Sequence, residues 1–155
     1  MTAAESARQR QGALWVGLQF GVLLLLALLA WPALARGAFG WASLAALLAS
    51  GAVGGWTLRH NQLGNFNIHP EPKATGHLVV DGPYRYVRHP MYSAVLLLAA
   101  ALVALAGTWL AGGLWAALLA VLWRKADLEE RWLAERYSGY VDYRRRTRRF
   151  VPGLL

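Results

Sequence analysis

Three stretches without a single charged residue, 13–35, 40–58 and 91–123, leave this chain few ways to fold. About 20 apolar residues make a helix that crosses a hydrocarbon layer of ~30 Å, so the first two stretches each fit one crossing. The third is too long for that. As one straight helix it would measure about 50 Å at 1.5 Å per residue. It contains Gly107 and Gly112-Gly113, weak helix formers and natural turn points. The expected form is a helical hairpin whose second arm runs on into water, where Leu128, Trp132 and Leu133 keep helical spacing among charges. The fold class that follows is all-α: a polytopic membrane protein of about four transmembrane helices, near residues 13–35, 40–58, 92–110 and 113–136.

At 155 residues the chain is one domain, with two spans in 1–58 and a connector, hairpin and C-terminal helix in 59–155. The first apolar stretch, with the basic start before it and Ala33-Leu34-Ala35 at its end, competes with a signal peptide. Its core from Ala13 to Ala30 exceeds the 7–15 residues usual in such a segment, which favours a span. The second span is rich in Gly, Ala and Ser, so its backbone can approach other helices closely.

Charge placement narrows the partners. A net charge of +8 would suit nucleic acid, but the cations flank apolar stretches and therefore suit a membrane surface. The two turns expected on one side carry only Arg36. The other side would hold Arg8, Arg10, Arg59, Lys73, Arg85, Arg88 and the nine cations from Arg124 to Arg149. By the positive-inside rule both termini and the connector are cytoplasmic. High Ala, Leu, Gly and Arg usage suggests a bacterial inner membrane. The run Arg144–Arg149 reads as an anchor for lipid headgroups. Without cysteine there is no disulfide and no thiol nucleophile. His60, His69 and His77 lack metal-ligand spacing, so no metal is expected.

The polar chemistry gathers at one boundary. Gly82-Pro83-Tyr84-Arg85-Tyr86-Val87-Arg88-His89-Pro90-Met91-Tyr92 lies just before the third apolar stretch, and Glu129-Glu130 lies just after it. Guanidinium groups such as Arg85 and Arg88 bind carboxylate or phosphate in a fork. Aromatic rings hold a flat base or an onium cation. A juxtamembrane belt of Arg and Tyr would look the same. Pro90 biases His89 away from helix, into an extended turn before the third span. Glu129 and Glu130 are about 100° apart on a helix, so one faces a site while the other caps or pairs. Lys125 is four residues before Glu129, a favourable helical pair.

Taken together, His77-Leu78-Val79-Val80-Asp81 running into the Gly82–Tyr92 motif resembles the signature of the isoprenylcysteine carboxyl methyltransferase and phospholipid methyltransferase group. So does Glu129-Glu130 followed by Leu133, Tyr137, Tyr140, Tyr143 and Phe150-Val151-Pro152. The resemblance covers roughly residues 60–152. It implies an integral membrane methyltransferase that uses S-adenosylmethionine and a lipophilic acceptor, an isoprenylcysteine-like carboxylate or a lipid. The cofactor site would be built from the connector and the helix after the hairpin. It would be lined by His77, Leu78, Val79, Gly82, Tyr84, Tyr86, Arg88, His89, Pro90 and Tyr92, and closed by Glu129 and Glu130. Arg85 and Arg88 would orient the acceptor if it is a carboxylate. His89 or a glutamate would take its proton if it is an amine. Ala94 stands where the group often has glycine, and Tyr137-Ser138 where it usually has Phe-Gly.

Two other functions fit the same residues. One is an NADPH-dependent membrane reductase of the sterol-reductase type, whose C-terminal region is similar. The other is a non-catalytic membrane protein whose Arg/Tyr cluster only anchors it at the interface.

Overall fold

A computed structural model describes residues 3–65 and 77–154, with side chains from Ser6 to Asn61 and from His77 to Leu154. His69, Pro70, Pro72 and Lys73 of the connector lie outside the described residues. The described residues form five α-helices: α1 (Ala3–Ala35), α2 (Trp41–Asn65), α3 (Pro90–Ala106), α4 (Trp109–Arg136) and α5 (Tyr140–Arg146). Among the described residues there is no β-strand, only an isolated parallel bridge between Val87 and Arg148.

Local sequence sets the helix ends. Pro90 opens α3 at a position where its missing N–H costs nothing and its fixed φ suits a first turn. Gly107 closes α3 in the left-handed region, at φ 62°, with its N–H donating to the Val103 carbonyl. Thr108 then caps α4, its hydroxyl accepting from the Ala111 N–H at 3.3 Å. The hairpin therefore turns at Gly107-Thr108, and the helices expected at 92–110 and 113–136 occupy 90–106 and 109–136 instead. Gly112-Gly113 lies within the first turns of α4, because the threonine cap starts the helix ahead of them.

The helices pack antiparallel in two pairs. α1 runs along α4, joined by Arg8 to Glu135 at 3.1 Å and by Gln19 to Lys125 at 2.8 Å. α2 runs along α3, where the Ser50 hydroxyl donates to the Ala94 carbonyl at 2.8 Å. The backbones come close there: a Cβ at Gly54 would lie in ordinary contact, 3.6 Å from Ala94 Cβ. Leu26, Leu96, Ala99, Ala111, Leu118, Leu122 and Ala126 form the shared core.

The outside of the bundle is apolar. Leu24, Leu28, Trp31, Leu48, Trp41 and Trp109 are exposed. Ser6–Ala35 and Trp41–Asn61 are each long and apolar enough to cross a membrane, and Pro90–Ala106 is a shorter apolar helix. A surface of this kind belongs against lipid rather than water. Glu129 is twenty residues into α4, about 30 Å from Trp109 at 1.5 Å per residue, or one hydrocarbon thickness. The polar cluster thus lies at the end of the bundle opposite the Gly107 turn.

The chain after α4 folds back onto that end. The Arg88 N–H donates to the Arg148 carbonyl at 2.8 Å, and the His89 N–H to the Arg149 carbonyl at 3.1 Å. The Arg148 N–H returns a bond to the Tyr86 carbonyl, and the Ser93 hydroxyl donates to the Phe150 carbonyl at 2.6 Å. Residues 86–89 and 148–150 are held together as a short strap across the bundle end.

Candidate active site

His89 is at the centre of the polar cluster, buried, and on both sides of its ring is a carboxylate. Its backbone is non-helical, at φ −124° and ψ 60°, because the following proline disfavours the helical region. That conformation turns the imidazole toward α4, where Nδ1 meets Glu129 Oε2 at 3.4 Å and Nε2 meets Glu130 Oε1 at 3.2 Å. The adjacent glutamates, about 100° apart on their helix, reach one ring from two directions. The Tyr92 ring stacks on His89 at 5.2 Å, and its hydroxyl donates to Glu129 Oε2 at 2.8 Å.

The two carboxylates differ sharply. Glu130 is 3% exposed and saturated. Its Oε1 accepts from Arg88 Nε at 3.0 Å, His89 Nε2 at 3.2 Å and Arg149 Nε at 3.1 Å, and its Oε2 from Arg149 Nη2 at 3.2 Å. Burial opposes its charge, but the hydrogen bond and charge of His89, then Arg149 and Arg88, hold its pKa down at about 2. Glu129 is 29% exposed along its side chain. Its Oε2 serves Tyr92 and His89, while Oε1 has no protein donor among the described residues.

His89 itself is raised above its usual pKa of 6.5. Burial disfavours the imidazolium, yet Glu129 and then Glu130 outweigh it. The two carboxylates, one at each ring nitrogen, thus favour the doubly protonated ring. Tyr84 and Tyr143 are pushed above the ordinary phenol value, first by burial, and stay neutral donors. The Tyr143 hydroxyl donates to the Tyr84 carbonyl at 2.7 Å, tying α5 to the motif turn. The Tyr140 hydroxyl is buried without a hydrogen-bond partner among the described residues, within electrostatic reach of Glu130, Arg88 and Glu129.

The structure brings Arg88, His89, Pro90, Tyr92, Glu129 and Glu130 into one cluster. Pro90 is buried as the first residue of α3. Gly82, Tyr84 and Tyr86 form a shoulder beside it. Gly82 is at φ 55°, and its backbone lies against the His60 ring, so close that a Cβ there would fall 2.3 Å from His60 Cδ2. Tyr86 packs against Trp56 at 6.3 Å. Leu78 and Val79 are half-buried and His77 is exposed. Arg85 is exposed and makes no ion pair among the described residues.

Two sequence readings need correction. Arg149 is not part of a lipid-facing anchor. It pairs with Asp127 at 2.8 Å and with Glu130, and its guanidinium lies 4.6 Å over the Trp123 ring. Its neighbours Arg144, Arg145, Arg146 and Arg148 remain exposed. The strap, not the run of like residues, decides its role, and its position next to Phe150-Val151-Pro152 was the signal available. Lys125 does not pair with Glu129. It turns toward α1 and bonds Gln19, because Glu129 is drawn to Tyr92 and His89. Trp56 and His60 of α2, against Tyr86 and Gly82, carried no sequence signal of their own.

The phospholipid methyltransferase family model matches residues 41–139, a span that takes in α2, the motif turn, the hairpin and both glutamates. α1 and the strap after Gly139 lie outside the match. No curated protein and no solved structure matches the chain.

Proposed function

Because the chain belongs to the phospholipid methyltransferase family, we propose that it transfers a methyl group from S-adenosylmethionine to a lipophilic acceptor at the membrane–cytosol boundary. The observation that carries this reading is the contrast between the two glutamates. Glu130 is consumed by Arg88, His89 and Arg149, whereas Glu129 keeps Oε1 without a donor among the described residues, at a partly exposed position. A carboxylate so oriented fits the ammonium group of the cofactor. The unpartnered Tyr140 hydroxyl offers a further polar atom near by.

The remaining roles follow from the same geometry. S-adenosylmethionine supplies an electrophilic methyl group on a sulfonium. Glu129 would hold the ammonium. Arg85, exposed beside the motif turn, would take a carboxylate, of cofactor or acceptor. Leu78 and Val79, both half-buried, would cover the adenine together with the shoulder of Gly82, Tyr84 and Tyr86. Arg88 and His89 act as positioning residues: through Glu130 and Glu129 they fix where α3, α4 and the strap meet. A carboxylate at each ring nitrogen of His89 favours the protonated ring, which makes it a poor base for an amine acceptor. If the acceptor is an amine, the base is Glu129 or a group beyond the cluster. Alignment and exclusion of water supply most of the rate, an effect worth about 7–11 kcal/mol in well-oriented reactions.

The acceptor enters from the bilayer. A shallow depression on the outer face of α4, lined by Ala116, Leu119, Ala120, Trp123 and Arg124, supports this as a largely apolar surface along which an acyl or prenyl chain can lie. Four spans with both termini in the cytoplasm are part of the same reading, supported by Arg36 alone at one end of the bundle. Purified full-length protein, given methyl-labelled S-adenosylmethionine and a membrane lipid extract, should place label in the organic phase. Label that appears only in small water-soluble acceptors, with no preference for lipid-tailed analogues, would refute lateral entry. No transfer to any acceptor, with binding of NADPH instead, would refute the methyltransferase reading.

A further inference from the structure

Lys125 is the one buried cation among the described residues that has no carboxylate in its ion pairs. It is 2% exposed, and its Nζ donates to Gln19 Oε1 at 2.8 Å, a neutral partner that is itself buried. The Tyr92 ring lies 5.2 Å from Nζ to centroid. Of the acids nearest in sequence, Asp127 pairs with Arg149, and Glu129 gives Oε2 to Tyr92 and His89; the Glu129 charge acts on Lys125 only at longer range, without an ion pair.

Depth makes this unusual. Gln19 is sixteen residues from Ala35, and Lys125 sixteen from Trp109. Both therefore lie about 24 Å from the Gly107 end of the bundle, and about 6 Å nearer to it than Glu129, inside a ~30 Å hydrocarbon layer. An ionisable side chain at that depth is costly and faces a pathway or a ligand more often than not. Tying α1 to α4 does not require it, since two neutral polar side chains would join the helices without burying a charge. The ammonium has three donors, and Gln19 takes one.

We propose that Lys125, oriented by Gln19, binds an anionic group of the methyl acceptor, a lipid phosphodiester or a carboxylate, one helical turn to the membrane side of Glu129. This rests on the methyltransferase reading. It assigns α1, outside the family match, a part in choosing the acceptor. Lipids with an anionic group next to the tail are retained, and neutral lipids of the same tail are not.

The test uses the full chain in a neutral detergent. Oleate, dioleoylphosphatidylglycerol and neutral dioleoylglycerol are the probes, and native mass spectrometry reads the bound fraction. Wild type should prefer at least one anionic probe over the neutral one by about tenfold. Preference for phosphatidylglycerol assigns a phosphodiester, and preference for oleate a carboxylate. Lys125→Met should abolish the preference and Lys125→Arg should keep it. Gln19→Glu keeps the hydrogen bond and neutralises Lys125 in place, so it should abolish the preference even if Lys125→Met fails to fold. Retention in Gln19→Glu, or a wild type that takes up the neutral probe equally well, overturns the proposal. S-adenosylhomocysteine titrated into the same samples reports the underlying reading separately. Its affinity should stay within about twofold in all variants, and no affinity in wild type would refute that reading whatever the lipids do.

Discussion

Replacing Glu130 by glutamine should unfasten the bundle end without changing its shape. The glutamine keeps an oxygen at Oε1 but removes the charge that three cations share. A carboxyl held at about 2 instead of 4.5 contributes roughly 3 kcal/mol at neutral pH, at 1.36 kcal/mol per pKa unit. Loss of one partner from a buried ion pair costs about 3–5 kcal/mol, so the two routes agree at the lower end. Asp127 still holds Arg149 at 2.8 Å, which argues for that end. For a chain of this length 1 kcal/mol moves Tm by about 2–4 °C, so the expected drop is about 6–12 °C. Its pH dependence has a fixed sign. The folded pKa is depressed, so the stabilisation is complete above the unfolded value near 4.5 and is lost as pH falls toward about 2. Thermal unfolding of wild type and Glu130→Gln in detergent, followed by tryptophan fluorescence from pH 7 to pH 3, measures both. Equal Tm values at pH 7, or a gap as wide at pH 3 as at pH 7, would refute the reasoning.

The histidine gives the opposite arm. Its folded pKa is raised, so its contribution is complete below 6.5 and is lost as pH climbs through the folded value; the Tm gap between wild type and His89→Gln should narrow above pH 6.5. Gly82→Ala should destabilise by about 1–3 kcal/mol, from a positive φ and a Cβ driven into His60, and His60→Ala in the same chain should restore part of the lost Tm by removing the clash but not the φ strain. Reporter fusions after Ala35 and after Leu155 should signal opposite sides of the membrane, external and cytoplasmic; the same side for both would end the four-span reading.

Much of the fold was legible because lipid-length apolar runs admit little besides helices. The hairpin was legible in outline, since 33 apolar residues exceed one crossing, but its turn was misplaced. Three glycines competed, and what decided among them was Thr108, whose hydroxyl caps α4 directly behind a left-handed Gly107. The meeting of His89 with Glu129 and Glu130 was legible from the hairpin, which returns the chain to the side it left. The division of labour between the glutamates was not. It depends on Arg149, brought by a backbone strap of long sequence separation that no periodicity signals. Lys125 illustrates the same limit: its helical spacing to Glu129 is favourable, yet Gln19, more than a hundred residues away, takes it. Local spacing states which partners are possible, and tertiary packing chooses among them.

The central claim is that Glu129 meets the cofactor while Glu130 holds the architecture. Calorimetric titration of S-adenosylhomocysteine into wild type, Glu129→Gln and Glu130→Gln at pH 7, with NADPH as the control ligand, tests it most directly. Wild type should bind S-adenosylhomocysteine and not NADPH. Glu129→Gln should lose less Tm than Glu130→Gln, since it gives up one ion pair where Glu130 gives up three, and should lose about 1.5–3 kcal/mol of binding, roughly ten- to 150-fold in Kd, as expected for one charged hydrogen bond. Glu130→Gln should lose Tm first. Wild-type affinity in Glu129→Gln, or a wild type that binds NADPH and not S-adenosylhomocysteine, would contradict the account.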